Sequence, residues 1–236
     1  MTLSEKDLQQ ISAKGISPEK LEQQLNDFKK GFPFLKLEGP AAIGKGIMAP
    51  TAEDAEKYIN TWNEYKAQGR KIVKFVPASG AASRMFKDVF SFVDADYNAP
   101  TSAFEKKYFE SIKDFAFYET LDALLKEQTG KGIEALMEEG DYKSIAKAML
   151  DKEGLNYGQL PKGLLLFHNY CDGARTPMEE HLVEAALYAN SNGEADVHFT
   201  VSNEHLELFK AKVAEKADKY AEKYNIKYNI SFSEQK

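Results

Sequence analysis

From Lys71 onward, short β-branched and aromatic runs alternate with long amphipathic helical stretches, and this alternation constrains the fold more than any other feature. The runs are "KIVKFVP" (71–77), "GLLLFH" (163–168), "ADVHFTVS" (195–202) and "IKYNISF" (226–232). Strands separated by helices pair in parallel, with the helices on the sheet faces. The expectation is therefore an α/β chain with a Rossmann-like, mostly parallel sheet. "GLLLFH" is brief enough to suit a buried strand or a helical turn, and the alternation favours the strand.

Between the first two runs, apolar residues recur at three and four positions. "AFEKKYFESIKDFAFYETLDALLKEQ" and "IEALMEEGDYKSIAKAMLDKEG" show the pattern best. They predict a helical insertion at about residues 86–158. Residues 1–68 read as a separate N-terminal helical segment, leaving 69–236 for the α/β domain. Ser4 with Asp7 and Thr51 with Asp54 have capping-box spacing, and Ser17-Pro18 opens a helix carrying Leu21, Leu25 and Phe28 on one face. Thr176-Pro177 opens another helix, and the last long one turns Leu206, Phe209 and Val213 inward.

Charge and composition exclude several classes of function. A formal charge of −6 disfavours general affinity for nucleic acid. No apolar run reaches the roughly 20 residues of a membrane span. The polar start lacks the apolar core of a secretory signal, and the lone Cys171 suits a reducing compartment, so a cytoplasmic location is expected. The four histidines, at 168, 181, 198 and 205, show no zinc spacing. His181 reads as a capping or packing residue, Asp94 and Asp96 as a solvated loop, and "GKG" at 44–46 as a turn.

The chemistry concentrates in "VPASGAASRM", where tiny residues link a strand to a helix and end on a fixed cation. Two readings suit it. Ala78, Ser79, Gly80, Ala81, Ala82 and Ser83 could let backbone N–H groups face a phosphate, with Gly80 free to take positive φ and Arg84 supplying charge. The same residues could instead make a tight turn that lets the helix pack on the sheet.

"VPASGAASRM" resembles the Ala-Ala-Gly-x-Gly-Thr/Ser-Arg-Met signature of the nucleotide-diphospho-sugar transferase superfamily, the fold of the sugar-nucleotide pyrophosphorylases. "LPKGLLLFHNY" matches the family's next motif with Pro161-Lys162. "DGARTPMEEHLVEAALY" matches a third with Gly173, Thr176-Pro177, Glu180 and His181. The pattern is closest to a bacterial domain-of-unknown-function family, a remote branch of that superfamily. Ala82 stands where the superfamily has a second glycine, and the helical insertion separates Arg84 from Lys162.

The resemblance implies transfer of a nucleotidyl group from a nucleoside triphosphate to a sugar phosphate or similar acceptor. In that reading residues 78–83 bind the triphosphate, Arg84 holds the leaving phosphates, and Lys162 stabilises charge at the α-phosphoryl. Lys87 is a weaker candidate for the same work. Magnesium is implied as cofactor, with its carboxylates and the acceptor half expected beyond the end of this chain. On that basis the nucleotidyltransferase domain is incomplete, and the chain alone should turn over little. The alternative is a non-catalytic nucleotide-binding or regulatory module. An unpaired edge on the final strand would favour homo-oligomers.

Overall fold

The computed structural model describes residues 3–235. Its elements in chain order begin with α1 (Glu5–Ala13), α2 (Pro18–Lys30), β1 (Ala42–Ile43), β2 (Gly46–Ile47) and α3 (Ala52–Ala67). Then come β3 (Val73–Pro77), α4 (Lys87–Asp94), α5 (Ala103–Glu110), α6 (Tyr118–Thr129), α7 (Ile133–Glu138) and α8 (Tyr142–Leu150). The chain ends through β4 (His168–Tyr170), β5 (Gly173–Arg175), α9 (Pro177–Tyr188), β6 (Glu194–Val201), α10 (Leu206–Tyr224) and β7 (Lys227–Glu234). Two compact units are present, one ending at Thr61 and the other Trp62–Gln235.

In the first unit the local signals act as read. Ser4 and Asp7 form a capping box at the start of α1, and Thr51 and Asp54 exchange the same bonds before α3. Gly15 follows α1 at φ +69°, a left-handed turn that favours glycine. Neither α1 nor α2 contains a buried residue, and Phe28 is 80% exposed, so these helices rest on capping rather than on a core.

The second unit is mixed α/β, with a small sheet of β3, β6 and β7 in that order, all parallel. The central strand β6 alternates strictly. Ala195, Val197, Phe199 and Val201 point to one buried face, where Met178 and Leu182 of α9 and Phe209, Val213 and Tyr220 of α10 complete a core. On the opposite face His198 stacks on Phe75 at 5.7 Å, and its ring nitrogens bond Ser231 and Ser233 at 2.8 and 2.9 Å.

A second core lies entirely among α4–α8 and the loops beside them. Phe92, Ile112, Leu121, Leu125, Ile133, Ile145 and Met149 are among its most enclosed members. The expected helical insertion is thus a packed helical body with its own apolar interior.

The expected strand at 163–168 is not in the sheet. Lys162–Leu164 is a 3-10 turn, and His168–Tyr170 pairs with Gly173–Arg175 in an antiparallel hairpin. The reason lies in where the leucines go: Leu164 packs in the sheet core and Leu165 in the helical core. The run is a bridge between two interiors. No helix among the described residues is long and apolar enough to cross a membrane.

Candidate functional site

The small-residue loop leaves β3 at the carboxyl end of the sheet, where open parallel sheets bind their ligands. The Ala78 N–H donates to the Thr200 carbonyl at 2.7 Å, which extends the sheet by one bond and removes that amide from any ligand. The Ser79 hydroxyl donates to Gln235, just past β7. Beyond this point most of the backbone N–H donors are unpaired, while the Gly80 and Ala82 carbonyls accept from Lys162 and Met85. The N–H groups of Ser79, Gly80, Ala81, Ser83 and Arg84 find no acceptor among the described residues. Exposed backbone donors in series suit an anion.

The small side chains do different jobs. Ala82 is 1% exposed and packs in the helical core, so its methyl answers to packing. Gly80 is exposed, its φ is not positive, and a Cβ built there would meet nothing within 4 Å. The expected left-handed conformation is therefore absent, and the fold itself makes no demand for glycine at 80. The missing side chain leaves the backbone there open to close approach from outside.

Lys162, distant in sequence, is brought to this loop. Its N–H donates to the Gly80 carbonyl at 3.0 Å, and Ala81 bridges Pro161 beside it. The next residue, Gly163, lies against Phe209, where an added Cβ would stand 2.6 Å from the ring. The turn thus sits on the sheet core and leaves the exposed Lys162 side chain at the loop, with no ion-pair partner among the described residues. Arg84 lies in the turn before α4, also exposed, and does not line the cavity described next.

That cavity, of about 200 Å³, is lined on its polar side by Gly80, Lys162, His181 and the first turn of α9. It is smaller than the few hundred Å³ of a drug-sized site, and fits a phosphate group better than a whole nucleotide. The α9 N-terminus faces it with Pro177 and Met178, so the positive end of a helix dipole borders the space. Thr176 and Glu179 cap α9 reciprocally, and the Tyr220 hydroxyl donates to the other Glu179 oxygen at 3.0 Å. Burial and the adjoining Glu179 carboxylate push the Tyr220 phenol well above its ordinary range, so it stays a donor.

His181, read from the sequence as a capping or packing residue, instead lines this cavity. Its Nδ1 lies 3.2 Å from Glu184, whose carboxylate meets the Lys74 ammonium at 2.6 Å. Burial works against charge on Glu184, but Lys74 outweighs it and holds the carboxyl below its ordinary range. A carboxylate only accepts, so Nδ1 carries the hydrogen and Nε2 is left for other partners. The signal was the spacing of Pro177 and His181, which puts the imidazole one turn above the helix start on the same face.

A family model described as "Domain of unknown function (DUF4301)" matches residues 4–236. The chain belongs to the DUF4301 family. Searches of curated proteins and of solved structures find no match.

For this DUF4301 chain the implied magnesium ion has no evident ligands. Among the described residues no three His, Cys, Asp or Glu side chains stand together as a metal site. The cavity brings Lys162 and His181 to its wall but no carboxylate, whereas magnesium is held through one or two carboxylates as well as phosphates. The residues present do not fit the ion. Asp94 and Asp96 are both exposed; Asp96 lies in the loop as expected, whereas Asp94 is the last residue of α4.

Proposed function

We propose that this chain binds the polyphosphate of a nucleoside triphosphate at the Ser79–Arg84 loop, and that its chemistry is nucleotidyl transfer to a phosphorylated sugar or a similar small acceptor. The reading rests on the resemblance to the nucleotide-diphospho-sugar transferase superfamily and on one observation above the rest. The Lys162 N–H bonds the Gly80 carbonyl, which puts the first two of the three motifs of that resemblance side by side despite the helical body between them.

In this reading an acceptor phosphate oxygen attacks the α-phosphorus, a new P–O bond forms, and the bond to the leaving pyrophosphate breaks. The chain's share is positioning and charge neutralisation. Free amides of the loop hold phosphate oxygens beside the positive end of the α9 dipole. The Lys162 ammonium offsets charge at the phosphoryl group, and the Arg84 guanidinium takes the outgoing phosphates. A binding-only module is the second reading, favoured by the lack of any carboxylate in the cavity wall.

Titration with nucleoside triphosphates, followed by a pyrophosphate-release assay with sugar phosphates, tests both. Lys162→Ala should weaken triphosphate binding about tenfold or more, the range for losing a charge-assisted contact. Pyrophosphate release would rule out the binding-only module, whereas binding without release is shared by the module and by a transferase that needs its acceptor half. No triphosphate binding at all would overturn both readings.

A further inference from the structure

An apolar cavity lies in the helical body, and nothing in the proposed chemistry uses it. It measures about 360 Å³, within the range of small-molecule sites. Phe115 and Phe117 stack within its wall at 5.1 Å, and Tyr157 meets Phe117 edge-on at 5.5 Å. Its lining also includes Met85, Phe104 and Phe167, which are 42%, 42% and 52% exposed. A void left by imperfect packing would be closed over by such residues; here large apolar side chains stand open to solvent around the space. Asp114 is the one charged residue in the lining, too little polar complement to read the edge of a nucleobase.

The cavity's position says what it accompanies. Its wall begins with Met85 and Phe86, directly after Arg84, and returns with Leu165 and Leu166, just after Lys162. The two segments carrying the candidate cations therefore run straight into an apolar pocket.

Resting on the phosphate reading above, we infer that the ligand of this pocket is an amphiphile: a phosphate monoester whose alkyl or similar hydrocarbon chain sits among Phe104, Phe115, Phe117 and Phe167 while its anionic head reaches Arg84 and the loop amides. Its head takes the same Arg84 and loop amides as the triphosphate, so the amphiphile competes with the nucleotide for the loop.

Calorimetry on the full chain tests this with dodecyl phosphate below its micelle concentration, dodecanol, and inorganic tripolyphosphate. Ala116→Trp fills the cavity from its wall, and Phe167→Glu places a charge at its exposed edge without touching the interior. Dodecyl phosphate should bind the parent and lose about tenfold or more in affinity in each variant, the scale of a few buried methylenes. Tripolyphosphate should bind all three proteins alike. Arg84→Ala should weaken dodecyl phosphate about tenfold or more and leave dodecanol unchanged. Dodecyl phosphate binding both cavity variants as well as the parent, with tripolyphosphate still bound, overturns this inference and leaves the phosphate site standing. Dodecanol bound as tightly as dodecyl phosphate, with tripolyphosphate not bound at all, overturns the phosphate reading and the head-group assignment with it.

Discussion

At the scale of single residues, glycines of similar appearance in the sequence carry opposite meanings. Gly163 is demanded by the fold, since a Cβ there would stand 2.6 Å from the fully buried Phe209 ring. Gly163→Ala should lower stability by about 1–3 kcal/mol, the usual cost of overpacking, and urea denaturation would measure it. Gly80 meets no such demand. Each of the two sequence readings, phosphate cradle or tight turn, treated residues 78–83 as one block because size was the only property in view. The structure divides the work: one amide to the sheet, one hydroxyl to Gln235, one methyl to a core, one open backbone. Such a division depends on what stands opposite each residue, which a string of small residues does not record.

Glu105 belongs to the same scale. Burial opposes its charge, yet N–H groups of Thr101 and Ser102 and the Tyr97 hydroxyl outweigh that and bring the carboxyl down from 4.5 to about 2. A depressed carboxyl stabilises the fold above its unfolded value of 4.5, and the contribution fades as pH falls towards 2. Glu105→Gln should cost about 1–3 kcal/mol at neutral pH, from lost charge-assisted bonds. The gap between variant and parent should narrow steadily between pH 4.5 and 2 in acid-denaturation curves.

At the scale of elements, capping was legible because it is local. Ser4, Ser17, Thr51 and Thr176 each sit where their spacing to the next polar residue places a helix start. The strand expected at 163–168 failed because "GLLLFH" offers apolar character without saying which interior each leucine will enter. Helix α9 shows the same limit: its start was plain, its service to the cavity was not. That start is fixed from α10 by Tyr220 through Glu179. Tyr220→Phe should destabilise by about 1–3 kcal/mol, because a buried carboxylate oxygen loses its donor. Restored stability in Glu179→Gln with Tyr220→Phe would show that the penalty comes from the unpaired oxygen.

At the scale of the molecule, Trp62–Gln235 holds two apolar interiors, one of sheet and helices and one of helices alone. The chain crosses between them at the loop after β3 and again at Pro161–Leu165, and these crossings touch through Lys162 and Gly80. Clefts between packed bodies are common places for ligands. The two crossings also explain how a long helical body can separate two motifs in sequence and leave them adjacent in space. The alternation of strand and helix was readable from Lys71 onward; the independent core of the insertion was readable only as helical periodicity.

The central claim is that the loop backbone at Gly80 is bare for a ligand and not for the fold, and Gly80→Ala tests it most directly. Calorimetric titration of parent and variant with a nucleoside triphosphate, beside their melting temperatures without ligand, is the measurement. The account predicts unchanged melting and triphosphate affinity reduced about tenfold or more. Equal affinity in the two proteins, or a variant that melts early, would contradict it.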